Sequence, residues 1–245
     1  MNYKIFTYAN YKYIEIAEYW ASFVERLKLN YTVYCTDRRG YQYLLDKNIN
    51  CTMFDTPTEG RDFNFNDFGL IRFKILSELL DKYEYVIYSD ADAIWIDNPL
   101  GDIFEHSYDA HLSTVHHRDA YPASIRKKWG MTICTGWMGF KHTARNLILD
   151  FIGQYYSFKN GLDQANFNEF IYSINNKIDK DIHGHSFVSD LKEYQLKLLG
   201  IGKNLIHRGE TVDGCKVVHP LSGSSETLQR DENRKLRVLR NEVGS

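Results

Sequence analysis

The chain has 245 residues, of which 43% are hydrophobic, 25% charged and 15% aromatic, with only 4 prolines, and this composition excludes a disordered or collagen-like polypeptide. By the scaling of surface with mass, folding removes roughly 73% of the unfolded surface from water, enough for one large core in a single domain. Lys and Arg number 30 against 32 Asp and Glu, giving a formal charge of −2, so no strong positive field is available to hold a nucleic acid.

In chain order, Lys4 to Ala9 reads as a short strand. An amphipathic helix follows, in which Ile14, Ala17, Ala21, Val24 and Leu27 recur at helical spacing. Tyr31 to Cys35 is a second strand ending in Thr36-Asp37, Tyr41 to Asp46 a second helix, and Asn50 to Phe54 a third strand. Strands alternating with helices predict a parallel sheet. Thr56 to Asn66 is a loop by its Gly, Asp, Asn and Thr content, Asp67 to Lys82 a helix, and Tyr85 to Ser89 a buried strand. Beyond Pro99 and Gly101 the pattern is less regular: a basic and aromatic loop from His116 to Trp129, a strand from Ile133 to Phe140, a helix from about Thr143 to Tyr156, and another beginning near Leu162. Residues 228–245 are mostly charged and predict a surface helix or tail.

The cysteines, Cys35, Cys51, Cys134 and Cys215, lie far apart and form no CxxC. That spacing speaks against a zinc ribbon or disulfide framework and for reduced thiols in a cytoplasmic protein. The amino terminus has no apolar h-region, and no run of about 18 apolar residues occurs, so neither a secretory signal nor a membrane span is expected.

The sharpest chemical feature is SDAD at 89–92, two carboxylates leaving the carboxyl end of a buried strand, which is where open α/β sheets place their ligands. A hard divalent ion such as Mn²⁺ or Mg²⁺ is commonly held by one or two such carboxylates, with phosphate oxygens completing its shell. Loop aspartates capping the next turn are the plainer alternative. His183 and His185 form an H-x-H, but no further ligands stand near them in sequence, so they read as ordinary residues.

The run from Phe65 to Leu100, FNDFGLIRFKILSELLDKYEYVIYSDADAIWIDNPL, resembles the nucleotide-diphospho-sugar transferases, glycosyltransferases of the GT-A fold. Three further segments resemble that family in its order: FTYANYKYIEIAEYW at the first strand and helix, CTGWMGFKHTARN at 134–146, and GLDQANFN at 161–168, with a fainter echo in KVVHPLSG at 216–223. The likeness spans about residues 3–170. It implies a Rossmann-like mixed sheet flanked by helices in one domain, 1–227, with a nucleotide-binding half (about 1–100) and an acceptor half (about 101–227), followed by the 228–245 tail.

Carried onto this chain, the resemblance implies a metal-dependent transfer from a nucleotide diphosphate sugar to a glycan or small hydroxyl acceptor, leaning towards retention. Asp90 and Asp92 would hold the metal and the donor's ribose or diphosphate, with His219 completing the coordination. Arg72, or alternatively Lys74, would face the diphosphate, but two residues turn a helix by about 200°, so both cannot point into one site. Asp163 and Gln164 would lie at the reacting sugar, unless Asp163 serves only as a helix N-cap. Gly136 would allow close backbone approach to the sugar, with Thr135 hydrogen-bonding it and Ala91 beside the aspartates. Thr7, Tyr8 and Asn10, with Asp37 as a lesser candidate, would hold base and ribose or else serve as turn residues. Read from the residues and not from the resemblance, His116, His117 and Arg118, with Tyr121 and Trp129, form a polar and aromatic loop of the kind that receives a sugar acceptor, or else ordinary surface. Two rival readings remain open on sequence. One is a haloacid-dehalogenase-like phosphohydrolase using Asp90 and Asp92, and the other a silent module that binds the sugar nucleotide without turnover. Base, sugar, acceptor and oligomeric state are not encoded legibly.

Overall fold

The computed structural model describes residues 1–55, 65–105, 108–115, 121–158, 162–174, 179–180, 187–191, 194–199, 206–208 and 215–219. The residues His116, His117, Arg118, His183, His185 and Gly223, most of the 56–66 loop and the 228–245 tail lie outside the described residues.

Strand β1 (Tyr3–Ala9) turns Ile5 and Ala9 towards one hydrophobic cluster and Phe6 and Tyr8 towards another. Burial on both faces explains why it reads as a run of apolar residues rather than an alternation. After a 3-10 turn at Tyr11–Tyr13, helix α1 (Ile14–Arg26) buries Ile16, Ala17, Trp20, Phe23 and Val24 against the first cluster. Strand β2 (Tyr31–Cys35) leads into α2 (Arg38–Asp46), which starts three residues before the sequence expectation. Asp37 sets that start. Its Oδ1 accepts from the Gly40 amide at 2.7 Å, and its Oδ2 accepts from the Tyr11 amide at 2.6 Å, tying the ends of β1 and β2 together.

Strand β3 (Cys51–Met53), helix α3 (Phe65–Leu79) and strand β4 (Tyr85–Ser89) complete a parallel array in the order β3-β2-β1-β4. The chain winds outward from β1 to β3 and then returns to the other side of β1. The strand order thus reverses between β1 and β4, and a crevice opens at their carboxyl ends.

Beyond this point the sheet ceases to be purely parallel, which corrects the expectation from strand–helix alternation and agrees with the mixed sheet implied by the resemblance. Strand β5 (Ile94–Trp95), helix α4 (Leu100–Phe104) and strand β6 (Ala110–Val115) precede α5 (Ala123–Trp129) and strand β7 (Thr132–Lys141). β7 runs antiparallel to both of its neighbours, β4 and β6. The expected loop to Trp129 therefore contains a helix, closed by Gly130 in the left-handed region at φ 77°. The expected 143–156 helix is shorter, with α6 (Arg145–Gln154) flanked by 3-10 turns.

Helix α7 (Asp163–Ile174) packs over β7, and the strands β8 (Asp179–Lys180), β9 (Phe187–Leu191) and β10 (Tyr194–Leu199) extend the sheet beyond β6. A second, three-stranded sheet joins β5 to β12 (Val217–His219) and β11 (Ile206–Arg208). Val217 pairs with Trp95 and Val218 with Ile94, antiparallel, so the next step of the register sets His219 opposite Ala93, beside Asp92, whose carboxylate its ring reaches. Among the described residues no helix is long and apolar enough to cross a membrane.

Candidate active site

At the carboxyl ends of β1 and β4 lies a cleft of about 380 Å³, lined by Tyr8, Arg72, Asp90, Ala91, Asp92, Thr135, Gly136, Asp163, Gln164 and His219 among others. The turn that carries the aspartates is fixed from behind. Ser89, fully buried, accepts the indole N–H groups of Trp20 and Trp95, each at 3.1 Å. The Asp90 amide donates to the Gly136 carbonyl at 2.7 Å, and the Ala93 amide to the Asp90 carbonyl at 3.0 Å.

Asp90, Asp92 and His219 offer ligand atoms that all lie within 4.8 Å of one another. His219 Nε2 is 3.1 Å from Asp92 Oδ1 and 3.3 Å from Asp90 Oδ2, while its Nδ1 lies 3.7 Å from Cys134 Sγ. Burial alone would lower the imidazole pKa, but the Asp92 charge and hydrogen bonds to both carboxylates hold it well above 6.5. Burial would likewise raise Asp90, yet Arg72 and then His219 bring it down to about 2. Two hard carboxylates and one imidazole form a donor set that fits Mn²⁺, and fits Mg²⁺, which prefers oxygen alone, less well.

Arg72 stands on α3 with its side chain 12% exposed. Its Nη1 donates to the Thr135 carbonyl at 2.9 Å and to Asp90 Oδ1 at 3.3 Å, and its Nε lies 3.5 Å from Asp163 Oδ2. The guanidinium also lies over the Tyr88 ring, 4.7 Å from its centroid, and Tyr88 donates its hydroxyl to Asp90 Oδ1. The guanidinium is thus a clamp between two carboxylates. Lys74, two residues along the same helix, does not line the cleft.

Asp163 is the first residue of α7, not its cap. Its carboxylate accepts from the Thr135 hydroxyl at 2.9 Å. Gln164 donates through Nε2 to the Tyr121 carbonyl at 3.0 Å. Asn168, one turn beyond Gln164 and fully buried, holds the helix that carries both. It accepts from the Ile133 amide at 2.8 Å and donates to the Ile133 and Gln164 carbonyls at 2.8 and 2.7 Å, docking α7 on β7.

Gly136 lines the cleft and also stands against the cluster. A Cβ there would overlap His219 Cε1 and stand 2.7 Å from both His219 Nδ1 and Asp90 Oδ2. The missing side chain is therefore space used by the carboxylate–imidazole cluster. Gly69 does the same for Asp163, whose Cβ would lie 2.6 Å from an alanine Cβ at 69.

Thr7 and Asn10 are not brought into the cleft. Thr7 is fully buried and shares a strand face with Ile5 and Ala9, leaving only Tyr8 of the trio at the cleft wall, where its hydroxyl donates to the Phe68 carbonyl at 2.9 Å. Tyr121 lines the cleft at 41% exposure, whereas Trp129 packs on Tyr172. Tyr88 and Gly69 escaped the sequence reading, and Asn168 entered it only as the last residue of the GLDQANFN segment. Each stands at a spacing that pointed to it: two residues before Asp90 on a strand, three before Arg72 on a helix, and four after Gln164 on a helix.

Residues 27–192 match the family model described as nucleotide-diphospho-sugar transferase. The chain belongs to this family. The matched span takes in Arg72, both aspartates, Thr135, Gly136, Asp163 and Gln164, while Tyr8 and His219 join them through the fold. Two solved structures share this transferase's architecture, which is the GT-A fold. One is a glycosyltransferase involved in the glycosylation of the major capsid of PBCV-1, at 12% identity and TM-score 0.58, covering 97% of this chain and 100% of that chain. The other is the galactosyltransferase LgtC in complex with donor and acceptor sugar analogs, at 14% identity and TM-score 0.61, covering 97% of this chain and 95% of that one. A search of curated proteins found no match.

Proposed function

We propose that this transferase moves a sugar, with retention, from a nucleotide diphosphate sugar to a hydroxyl of a glycan or small acceptor, using Mn²⁺ held by Asp90, Asp92 and His219. The observation that carries the reading is the meeting of those three side chains within 4.8 Å in the cleft that Arg72, Asp163 and Gln164 also line. When bound, the cation offsets the negative charge of the departing diphosphate.

The chain's own residues do the positioning. Arg72 holds Asp90 and Asp163 apart at fixed places and adds a buried positive charge to the same wall. Asp163, already accepting from Thr135, is an oriented acceptor for sugar hydroxyls. With those partners it is ill placed to act as a base on the acceptor, which supports retention, in which the leaving phosphate takes the acceptor proton. Gln164, tethered by the Tyr121 carbonyl, sets its carboxamide beside the reacting carbon. The galactosyltransferase LgtC was solved with donor and acceptor sugar analogs, and the shared fold supports the same two partners here. Four unbridged thiols support a reducing compartment, so we assign the enzyme to the cytoplasm.

Phosphohydrolase chemistry at Asp90 is disfavoured because Oδ1 accepts from Tyr88 and Arg72 while Oδ2 faces His219, partners that draw charge from the carboxylate and weaken it as a nucleophile. The test is thermal stability against a panel of UDP, GDP, CMP and dTDP sugars with and without Mn²⁺, for the wild type and Asp92→Ala. A true donor at a hundredfold excess over its dissociation constant adds roughly 2.7 kcal/mol. A shift with one nucleotide that needs Mn²⁺ and Asp92 is expected, followed by transfer of the sugar with its anomeric configuration kept. Binding without turnover would leave a silent module, and no shift with any member would refute the donor site.

A further inference from the structure

Strand β7 departs from its ladder with β6 beside the cleft. Cys134 pairs with Ser113 and Met138 with Leu112, so Thr135, Gly136 and Trp137 are extra residues on the β7 side. The stretch that begins at Cys134 meets the site at successive points. Cys134 Sγ lies behind His219 at 3.7 Å. The Thr135 carbonyl accepts from Arg72 and its hydroxyl donates to Asp163. The Gly136 carbonyl accepts from the Asp90 amide, and its bare Cα leaves room for His219.

Across the base of this bulge stands one hydroxyl. Ser113 Oγ is 3.0 Å from the Cys134 carbonyl oxygen and 3.0 Å from that of Trp137, the residues at either end. Ser113 is 4% exposed and does not line the cleft. A hydroxyl has a single proton to donate, shared or exchanged between the two carbonyls. Either way it bridges a gap where the regular ladder is interrupted and the register is least fixed.

We propose that Ser113 is a positioning residue: its hydroxyl pins both ends of the β7 bulge and so sets the places of Asp90, Asp163 and His219 relative to one another. The inference rests on the transferase reading for the identity of the cation, and on the bulge alone for the pin.

The experiment pairs amide hydrogen exchange of the metal-free protein with an Mn²⁺ titration followed by electron paramagnetic resonance. Its subjects are the wild type, Ser113→Ala, Ser113→Thr, and Ile148→Val as a core truncation in α6. In Ser113→Ala the amides of 135–137 should exchange about tenfold faster, and Mn²⁺ should bind about tenfold more weakly, the usual effect of losing an outer support of a metal site. Ser113→Thr restores both through its hydroxyl, and Ile148→Val lowers thermal stability with neither change. Unchanged exchange at 135–137 in Ser113→Ala overturns the pin, whatever the metal does. Faster exchange with wild-type Mn²⁺ affinity overturns its bearing on the site, as does an equal loss of affinity in Ile148→Val. A wild type that takes up no Mn²⁺ refutes the cation reading, and the exchange data then decide the pin.

Discussion

Replacing Gly136 by alanine tests the carboxylate–imidazole cluster without changing any of its members. The new methyl would overlap His219 Cε1 and stand 2.7 Å from His219 Nδ1 and Asp90 Oδ2, where carbon contacts are ordinarily about 3.5–4.0 Å. The backbone cannot easily give way, because the Gly136 carbonyl is bonded to the Asp90 amide at 2.7 Å. The imidazole has no vacant place to enter, with Cys134 behind it, two carboxylates before it, and 7% exposure. Overpacking of this kind costs about 1–3 kcal/mol of stability. A displaced imidazole weakens Mn²⁺ binding by about 100-fold or more, equivalent to about 2.8 kcal/mol. The assay is an Mn²⁺ titration together with urea denaturation of Gly136→Ala, His219→Ala and the double variant. Because most of the overlapping atoms belong to His219, the stability cost of the alanine should fall by about 1 kcal/mol when that ring is absent. Wild-type Mn²⁺ affinity in Gly136→Ala, or an unchanged cost in the double variant, would refute the reasoning.

Arg72→Lys should behave nearly as badly as Arg72→Ala, since an ammonium cannot span Asp90, Asp163 and the Thr135 carbonyl as the fork does. Removing the guanidinium leaves Asp90 with Tyr88 and His219 and Asp163 with the Thr135 hydroxyl, two partly buried carboxylates each short of a charged partner, a loss of about 1.5–3 kcal/mol in denaturation, and a lysine variant with wild-type stability contradicts the clamp. Asn168→Ala strands the Ile133 amide and carbonyl, both buried, at about 2–4 kcal/mol, and donor turnover should fall further than stability because α7 carries Asp163 and Gln164. Turnover preserved in folded Asn168→Ala protein would count against that docking role. His219 must shed its proton to ligate a cation, so Mn²⁺ affinity should rise with pH by up to about tenfold per unit until its raised pKa is passed. A flat profile around neutral pH would exclude His219 as a ligand. In the metal-free protein the sign reverses. The His219 contribution to stability is complete below 6.5 and is lost as pH rises through the raised value. The Asp90 contribution is complete above 3.8 and fades as pH falls through about 2. Urea midpoints against pH for wild type and His219→Ala separate the two.

The strand–helix units before Pro99 were legible because each carries its period within a few residues. Apolar positions three and four apart mark α1, and β4 is an unbroken buried run. Strand β6 was not legible, since His111, Ser113 and Thr114 are polar yet buried, giving neither alternation nor an apolar run. Helix α5 hid in a basic stretch, although Gly130 just past its end was a fair stop signal. At the site, Asp90 and Asp92 could be singled out from sequence because two carboxylates leave the end of a buried strand, whereas Asp163, at a helix start where Asp is common, was singled out only through the family resemblance. Alternation along β1 already argued that Thr7 and Tyr8 face opposite ways. The neighbours of Gly136 were beyond reach, because a glycine advertises freedom of the backbone and conceals which remote side chain occupies the space it leaves.

The antiparallel pairing of β5 with β12 has a temporal side. Asp92 and His219 are 127 residues apart and meet only once β12 has docked against Ile94 and Trp95. Ribosomal synthesis delivers the two aspartates early and the imidazole late, and a contact of such long range is among the slower ones to form. For most of its translation the nascent protein therefore exposes acidic groups without the nitrogen that completes their set. Under the proposed role of the cluster, cation capture would mark a polypeptide made through residue 219 and correctly threaded, and a product terminated before Val217 would keep its aspartates while lacking their third partner.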